Sequence, residues 1–145
     1  MLCITIINTI LAIGSFGFSV YVFVKNKLYS KTNVEIAVLN AISQAISAAA
    51  EHCDNLAVFK DDTSALGDSI RQNATSAFDG ILLAYDYACA KYYEQSIRPE
   101  YFKTTYTSRI RELFLSPTYT QLLETKGNYP YLHRFYLEHC VKHKS

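Results

Sequence analysis

The stretch 2-LCITIINTILAIGSFGFSVYVFV-24 decides how the rest of the chain is read. Its polar members, Thr5, Asn8, Thr9, Ser15 and Ser19, are all uncharged, and no charged side chain precedes Lys25. An apolar run of that length exceeds the ~20 residues that a helix needs to cross the hydrocarbon of a bilayer. A cleaved leader starts with a basic region and ends on a small-x-small site. Here no basic side chain precedes the run, and Lys25-Asn26-Lys27 follows it. The reading is an uncleaved transmembrane anchor over residues 1–25 that brings the chain to a lipid bilayer. Lys25, Lys27 and Lys31 stand just after the run, so the positive-inside rule predicts an outward N-terminus and a cytoplasmic remainder. Gly14, Ser15, Gly17 and Ser19 form a small-residue patch of the kind that lets membrane helices approach one another, which makes them candidates for self-association.

Beyond the run, residues 26–33 read as a juxtamembrane connector and residues 34–145 as one helical domain. Thr32-Asn33-Val34-Glu35 has the form of a capping box and predicts a fresh helix start. Val34, Val38, Ala41, Ile42, Ala45, Ala49 and Leu56 then recur at helical spacing, and Ile36, Leu39 and Ile46 widen the stripe as if the helix were central. Residues 60–69, KDDTSALGDS, are turn-like, and a second long helix is expected to about Ser96. Pro99, Pro117 and Pro130 each suit the first turn of a helix, where a missing amide hydrogen costs nothing. Gly127-Asn128 ends the helix begun at Pro117. No alternating strand pattern of useful length occurs. The fold class is therefore all-α: a single N-terminal transmembrane helix followed by a small bundle of about five helices.

The chain has 145 residues, and 14 basic side chains balance 13 acidic ones, for a net charge of +1. That balance argues against nucleic acid as a partner, since phosphate binding needs a concentrated basic surface. Cys3, Cys53, Cys89 and Cys140 are widely spaced without a C-x-x-C, which predicts free thiols. His139 and His143 lie four apart on one helix face and are the weak candidates for a metal. They lack the intervening helical Glu of H-E-x-x-H and a third ligand. No phosphate loop and no nucleophile elbow is present, so neither a catalytic residue nor a cofactor site is assigned. Asp86, flanked by Tyr85 and Tyr87, is the other notable position. A partly buried Asp in such surroundings is expected to pair, with Arg109 or Arg111 of the next helix or with a tyrosine, so Asp86, Arg109, Arg111 and Tyr85 are the structural or recognition candidates.

Leu82 to Cys89 has the form L-x-x-Y-[DE]-x-A-C, Phe102, Lys103, Tyr106 and Ile110 the form F-K-x-x-Y-x-x-x-I, and Tyr131 to Tyr136 an aromatic helix. Together these resemble uncharacterised small membrane-anchored helical proteins of bacteria and prophages. The resemblance implies a bacterial inner-membrane protein and brings no activity or functional residue. The expected function is a membrane-tethered helical module that binds a protein partner or a second copy at the cytoplasmic face. The alternatives are an oligomerising membrane effector of a phage-defence or toxin-like system, and a metal-dependent enzyme built on the C-terminal His pair.

Overall fold

The computed structural model describes residues 2–58, 64–124 and 128–141, with the side chains of α1 described from residue 18 to 54. It is all-α with five helices: α1 Leu2–Val58, α2 Ala65–Tyr93, α3 Pro99–Leu115, α4 Pro117–Glu124 and α5 Pro130–Phe135. α5 runs into a π-helical turn, Tyr136–Cys140. The three prolines stand at or near the first positions of α3, α4 and α5, as their missing amide hydrogen requires.

α1 is the departure from expectation. Its 57 residues form one unbroken helix, about 85 Å long at 1.5 Å per residue. The connector expected over 26–33 is helical, and the capping box at Thr32 is not formed. Thr32 Oγ1 donates to the Leu28 carbonyl at 3.2 Å, one turn back. The amides a cap would satisfy are already inside a continuing helix, so the box has nothing to cap. The transmembrane anchor is corrected as well. Among the described residues no helix is long and apolar enough to cross a membrane. From Phe18 onward, Lys25, Lys27, Lys31 and Glu35 interrupt the apolar run. Residues 1–17, with the larger part of the expected span and with Gly14, Ser15 and Gly17, lie outside the residues whose side chains are described; Ser19 is exposed. The bilayer as partner, the inner-membrane placement and the topology drawn from Lys25, Lys27 and Lys31 are therefore not carried forward.

The bundle begins one turn after Lys31. Glu35 is buried, and its carboxylate accepts four hydrogen bonds from Arg98: from the backbone amide at 3.0 Å, from Nε at 2.9 and 3.2 Å, and from Nη2 at 2.6 Å. Arg98 precedes Pro99 as the N-cap of α3. Glu35 thus meets the far end of α2, while Val58 lies close in sequence to the start of α2, so α1 and α2 run antiparallel. Val38, Ile42 and Ala49 of α1 pack on Ile81, Leu82, Tyr85, Ala88 and Cys89 of α2. α3 adds Phe102, Tyr106, Ile110 and Leu113, and the C-terminal segment adds Tyr129, Leu132, Phe135 and Cys140. Ile36, Leu39 and Ile46 are not part of this core: they are 52%, 41% and 45% exposed. α1 is therefore peripheral, covered on one side only.

The α2–α3 turn closes with Ser96 N–H donating to the Lys91 carbonyl and Gln95 N–H to that of Tyr92, both at 3.0 Å. This is the Schellman arrangement, and it puts Gln95 at φ 58° where glycine is the usual residue.

Two measurements check this account. Glu35→Ala is expected to cost about 1–3 kcal/mol in urea unfolding at neutral pH, since it strands the Arg98 amide. The Arg98 side-chain hydrogen bonds hold the Glu35 carboxyl below its ordinary value of 4.5. A depressed carboxylate pKa contributes stability that is complete above the unfolded value and is lost as pH falls through the folded one. The stability gap between wild type and Glu35→Gln should therefore shrink below about pH 4.5; a gap constant from pH 7 to pH 3 would contradict the assignment. Separately, Gln95→Gly should stabilise the chain by up to about 1 kcal/mol, because it relieves the left-handed backbone at a smaller entropic cost. A loss of stability there would show that the Gln95 side chain makes a compensating contact.

Candidate interaction site

Among the described residues the C-terminal segment builds no metal centre. His139 sits half-buried in the π-helical turn, 4.6 Å from the Phe135 ring and 5.7 Å from that of Tyr92, centroid to centroid. The Tyr92 hydroxyl lies 3.3 Å from its Nε2. Burial, with Lys103 nearby, lowers its pKa, so the ring is neutral at pH 7 and serves as a packed aromatic. Cys140 is buried and its thiol donates to the Thr107 carbonyl at 3.5 Å. Among the described residues no group of three or more His, Cys, Asp and Glu could hold a metal; His143 lies outside them. The metal-dependent enzyme is thereby corrected. Cys53, Cys89 and Cys140 are free thiols, and burial pushes the Cys89 thiol well up, away from the reactive thiolate form.

Asp86 does pair, but with neither arginine. Its Oδ1 accepts from the Leu132 backbone amide at 2.8 Å, and the Tyr131 amide also approaches it. Tyr129, the N-cap of α5, offers no side-chain cap, so Asp86 of α2 caps that helix across the fold. One helical register earlier, Asp79 accepts from the Tyr129 hydroxyl. Two acids on α2 thus hold the start of α5. Desolvation raises the Asp86 pKa against these hydrogen bonds. Arg111 is half-buried, and its Nε lacks a hydrogen-bond partner among the described residues. Of the four candidates read from the sequence, only Tyr85 and Arg109 come together.

Tyr85 is 4% exposed. Burial raises its pKa, and the charge of the nearby Arg109 guanidinium opposes the rise. The two share a cleft of ≈ 500 Å³ with Ile46 of α1, Glu112 and Leu113 of α3, Ser116 and Tyr119. Four helices therefore contribute to one opening, with an aromatic wall on either side and charged groups on the α3 rim.

The second surface runs along α1. Phe18, Val22, Lys25, Tyr29, Thr32, Ile36, Leu39, Ser43, Ile46, Ala50 and Cys53 recur at alternating spacings of four and three. That is the 3.5-residue period of a helix-pairing seam. Every member is exposed or half-buried. Over residues 18–30 the helix is largely exposed: Phe18, Tyr21, Phe23 and Tyr29 are 68%, 59%, 68% and 58% exposed, with Lys25 set over the rings of Tyr21 and Tyr29. Sequence reading missed this seam because the inner stripe of Val38, Ile42, Ala45 and Ala49 shares its period. The signal was present in Ile36, Leu39 and Ile46, each one position out of step with the inner stripe.

No known family model, curated protein or solved structure matches the chain. The resemblance to membrane-anchored proteins of bacteria and prophages is corrected on that finding, and with it the phage-defence and membrane-effector readings.

Asp86→Ala should cost about 1–3 kcal/mol, because the buried amides of α5 lose their acceptor. Amide exchange should locate the loss, with Leu132 losing protection before Leu82. Equal loss throughout the chain would deny Asp86 its role as a cap.

Proposed function

We propose that the chain is a non-enzymatic helical module that self-associates along α1, with the bundle as its folded head. The observation that carries the reading is the exposed 4–3 seam from Phe18 to Cys53. At about 150–250 Å² per aromatic side chain, the four bare aromatics of the arm alone leave roughly 500 Å² in solvent. A monomer rarely exposes a contiguous apolar patch larger than a few hundred Å².

Charge selects the partner and the direction. The described charged residues of α1 are segregated: Lys25, Lys27 and Lys31 toward one end, Glu51 and Asp54 toward the other, with Glu35 between them spent on Arg98. A second copy laid parallel would set lysine against lysine. Laid antiparallel and centred on Ala41, it brings the lysine-bearing end of one α1 level with the acidic end of the other. The same register opposes Ile36 to Ile46, Leu39 to Ser43, Thr32 to Ala50 and Tyr29 to Cys53. Small residues then face large ones along the seam, which lets the helices approach closely. A contact built on one patch used twice has the two-fold symmetry of most homodimers.

Sedimentation equilibrium of the full chain should show a concentration-dependent dimer. Leu39→Glu should weaken it at least tenfold, since a buried unpaired charge costs more than the 1.4 kcal/mol of one decade. Under mild oxidation Tyr29→Cys should link to Cys53 of a second copy, identified by peptide mass. Cross-links between two introduced cysteines would overturn the antiparallel arrangement. A folded monomer at all concentrations, or recovery of the chain only with phosphatidylcholine vesicles and never with its own copies, would overturn self-association.

A further inference from the structure

The cleft at Tyr85 and Arg109 carries charges that the fold leaves unused. Arg109 and Glu112 are i, i+3 neighbours on α3, both exposed and both on its rim. Opposite charges at that spacing ordinarily close on a helix surface. In this chain Asp68 closes with Arg71 at 2.6 Å, Lys91 with Glu94 at 2.7 Å, and Arg134 with Glu138, one residue further apart, at 2.8 Å, while Glu100 and Lys103 of α3 form no ion pair among the described residues. Arg109 and Glu112 form no ion pair among the described residues. The Arg109 guanidinium shares the cleft with the buried Tyr85 phenol. The backbones of Arg109 and Glu112 stand about 4.5 Å apart along the helix axis, and both exposed side chains border the cleft.

The surroundings define what such a ligand looks like. Ile46 and Leu113 are apolar, Tyr85 and Tyr119 are aromatic, and Ser116 adds a hydroxyl where α3 ends. A volume of ≈ 500 Å³ falls within the range of small-molecule sites, which combine an apolar lining with a few placed polar groups. The larger groove beside Phe114, Tyr136 and Leu137 offers no such pair, because its Arg134 and Glu138 are bound to each other. We infer that the cleft of Tyr85, Arg109, Glu112 and Tyr119 binds a free α-amino acid with an apolar side chain. Arg109 holds the carboxylate with its forked donors, as guanidinium–carboxylate geometry favours. Glu112 holds the ammonium, and the side chain lies among Ile46, Leu113 and the two tyrosines.

L-Phenylalanine is the probe, with 3-phenylpropanoate lacking the ammonium and phenethylamine lacking the carboxylate. All three are titrated into the full chain and followed by amide chemical shifts and calorimetry. The expected result is saturable binding of L-phenylalanine that shifts Leu113, Ser116 and Tyr119, with each analogue at least tenfold weaker. Arg109→Gln and Glu112→Gln should each weaken L-phenylalanine at least tenfold, and Arg109→Lys should restore part of the loss. Both positions are exposed, and an unchanged circular dichroism spectrum confirms that the variants fold. Ile46 lines the cleft and also stands on the outer seam, so the titration is repeated on Leu39→Glu, in which no second copy covers Ile46. Three results would overturn the inference: no saturable shift, equal binding of L-phenylalanine and 3-phenylpropanoate, or binding indifferent to both rim variants.

Discussion

The carboxylate of Glu35 fixes how far α1 is engaged. Among the described residues it is the buried charged group of the fold, and it reaches Arg98, 63 positions away in sequence. A buried charge stripped of its partner is strongly destabilising, so α1 can slide neither up nor down its neighbours without exposing or orphaning that group. Net stabilisation from such a pair is modest, because desolvation offsets most of the attraction; the pair's larger effect is on register. One turn before Glu35 the helix leaves the bundle, and the described side chains upstream, residues 18–30, are exposed except for the half-buried Val22. The length of the exposed arm is therefore set by a single ion pair at its root.

α2 is the element on which the remaining helices assemble. Tyr92 packs edge-on against Phe135 at 5.2 Å and at a tilt against Phe102 at 5.1 Å, so one ring joins α2, α3 and α5. α5 has six residues, too few to persist alone, since helix nucleation outweighs the gain from so few bonds. Its start is held by Asp79 and Asp86, and its end is continued by the π-helical turn that carries His139 and Cys140 into the core. Phe114 of α3 stacks flat on Tyr136, with centroids 3.9 Å apart, and closes the other side. The density of tyrosine in the C-terminal half is thus mostly core. The phenols keep their protons: burial pushes Tyr106 up to about 12 and raises Tyr119, Tyr93 and Tyr129 as well.

Much of this was legible in the sequence because the signals are local. Pro99, Pro117 and Pro130 mark helix starts through a property of one residue, and the stripe of Ile81, Leu82, Tyr85, Ala88 and Cys89 marks its buried face through spacing alone. What misled were residues whose partners are distant. Thr32-Asn33-Val34-Glu35 reads as a cap only while Glu35 lacks another partner, and its partner stands 63 positions on. Asp86 looked toward the arginines of α3, because sequence distance favoured the next helix; its acceptor role belongs to a helix start more than forty positions away. Ile36, Leu39 and Ile46 were assigned to the core because hydrophobicity reports that a side chain should be covered, not by which molecule. For the site, Tyr85 and Arg109 were each visible as residue types, while the open pair of Arg109 and Glu112 was not. Whether two charges at i, i+3 close depends on rotamers that neighbouring helices dictate.

α1 presents two seams of the same period, offset by one residue and hence by about 100° around the axis. The inner one, Glu35, Val38, Ile42, Ala45 and Ala49, is committed to the bundle; the outer one, Ile36, Leu39, Ser43, Ile46 and Ala50, is not. The two differ in composition as their tasks require. The inner seam carries the one buried charge, which admits a single register against α2. The outer seam carries small residues beside its isoleucines and leucine, with opposite charges flanking it at its two ends, which admits a single direction against another helix. Antiparallel contact also aligns the peptide dipoles of the paired helices favourably, whereas parallel contact opposes like ends. Within one copy, Glu35 among these charges is bound to Arg98, with Lys31 close to it. On the proposed self-association, the separation of lysines from acids along α1 sets the direction of the second helix.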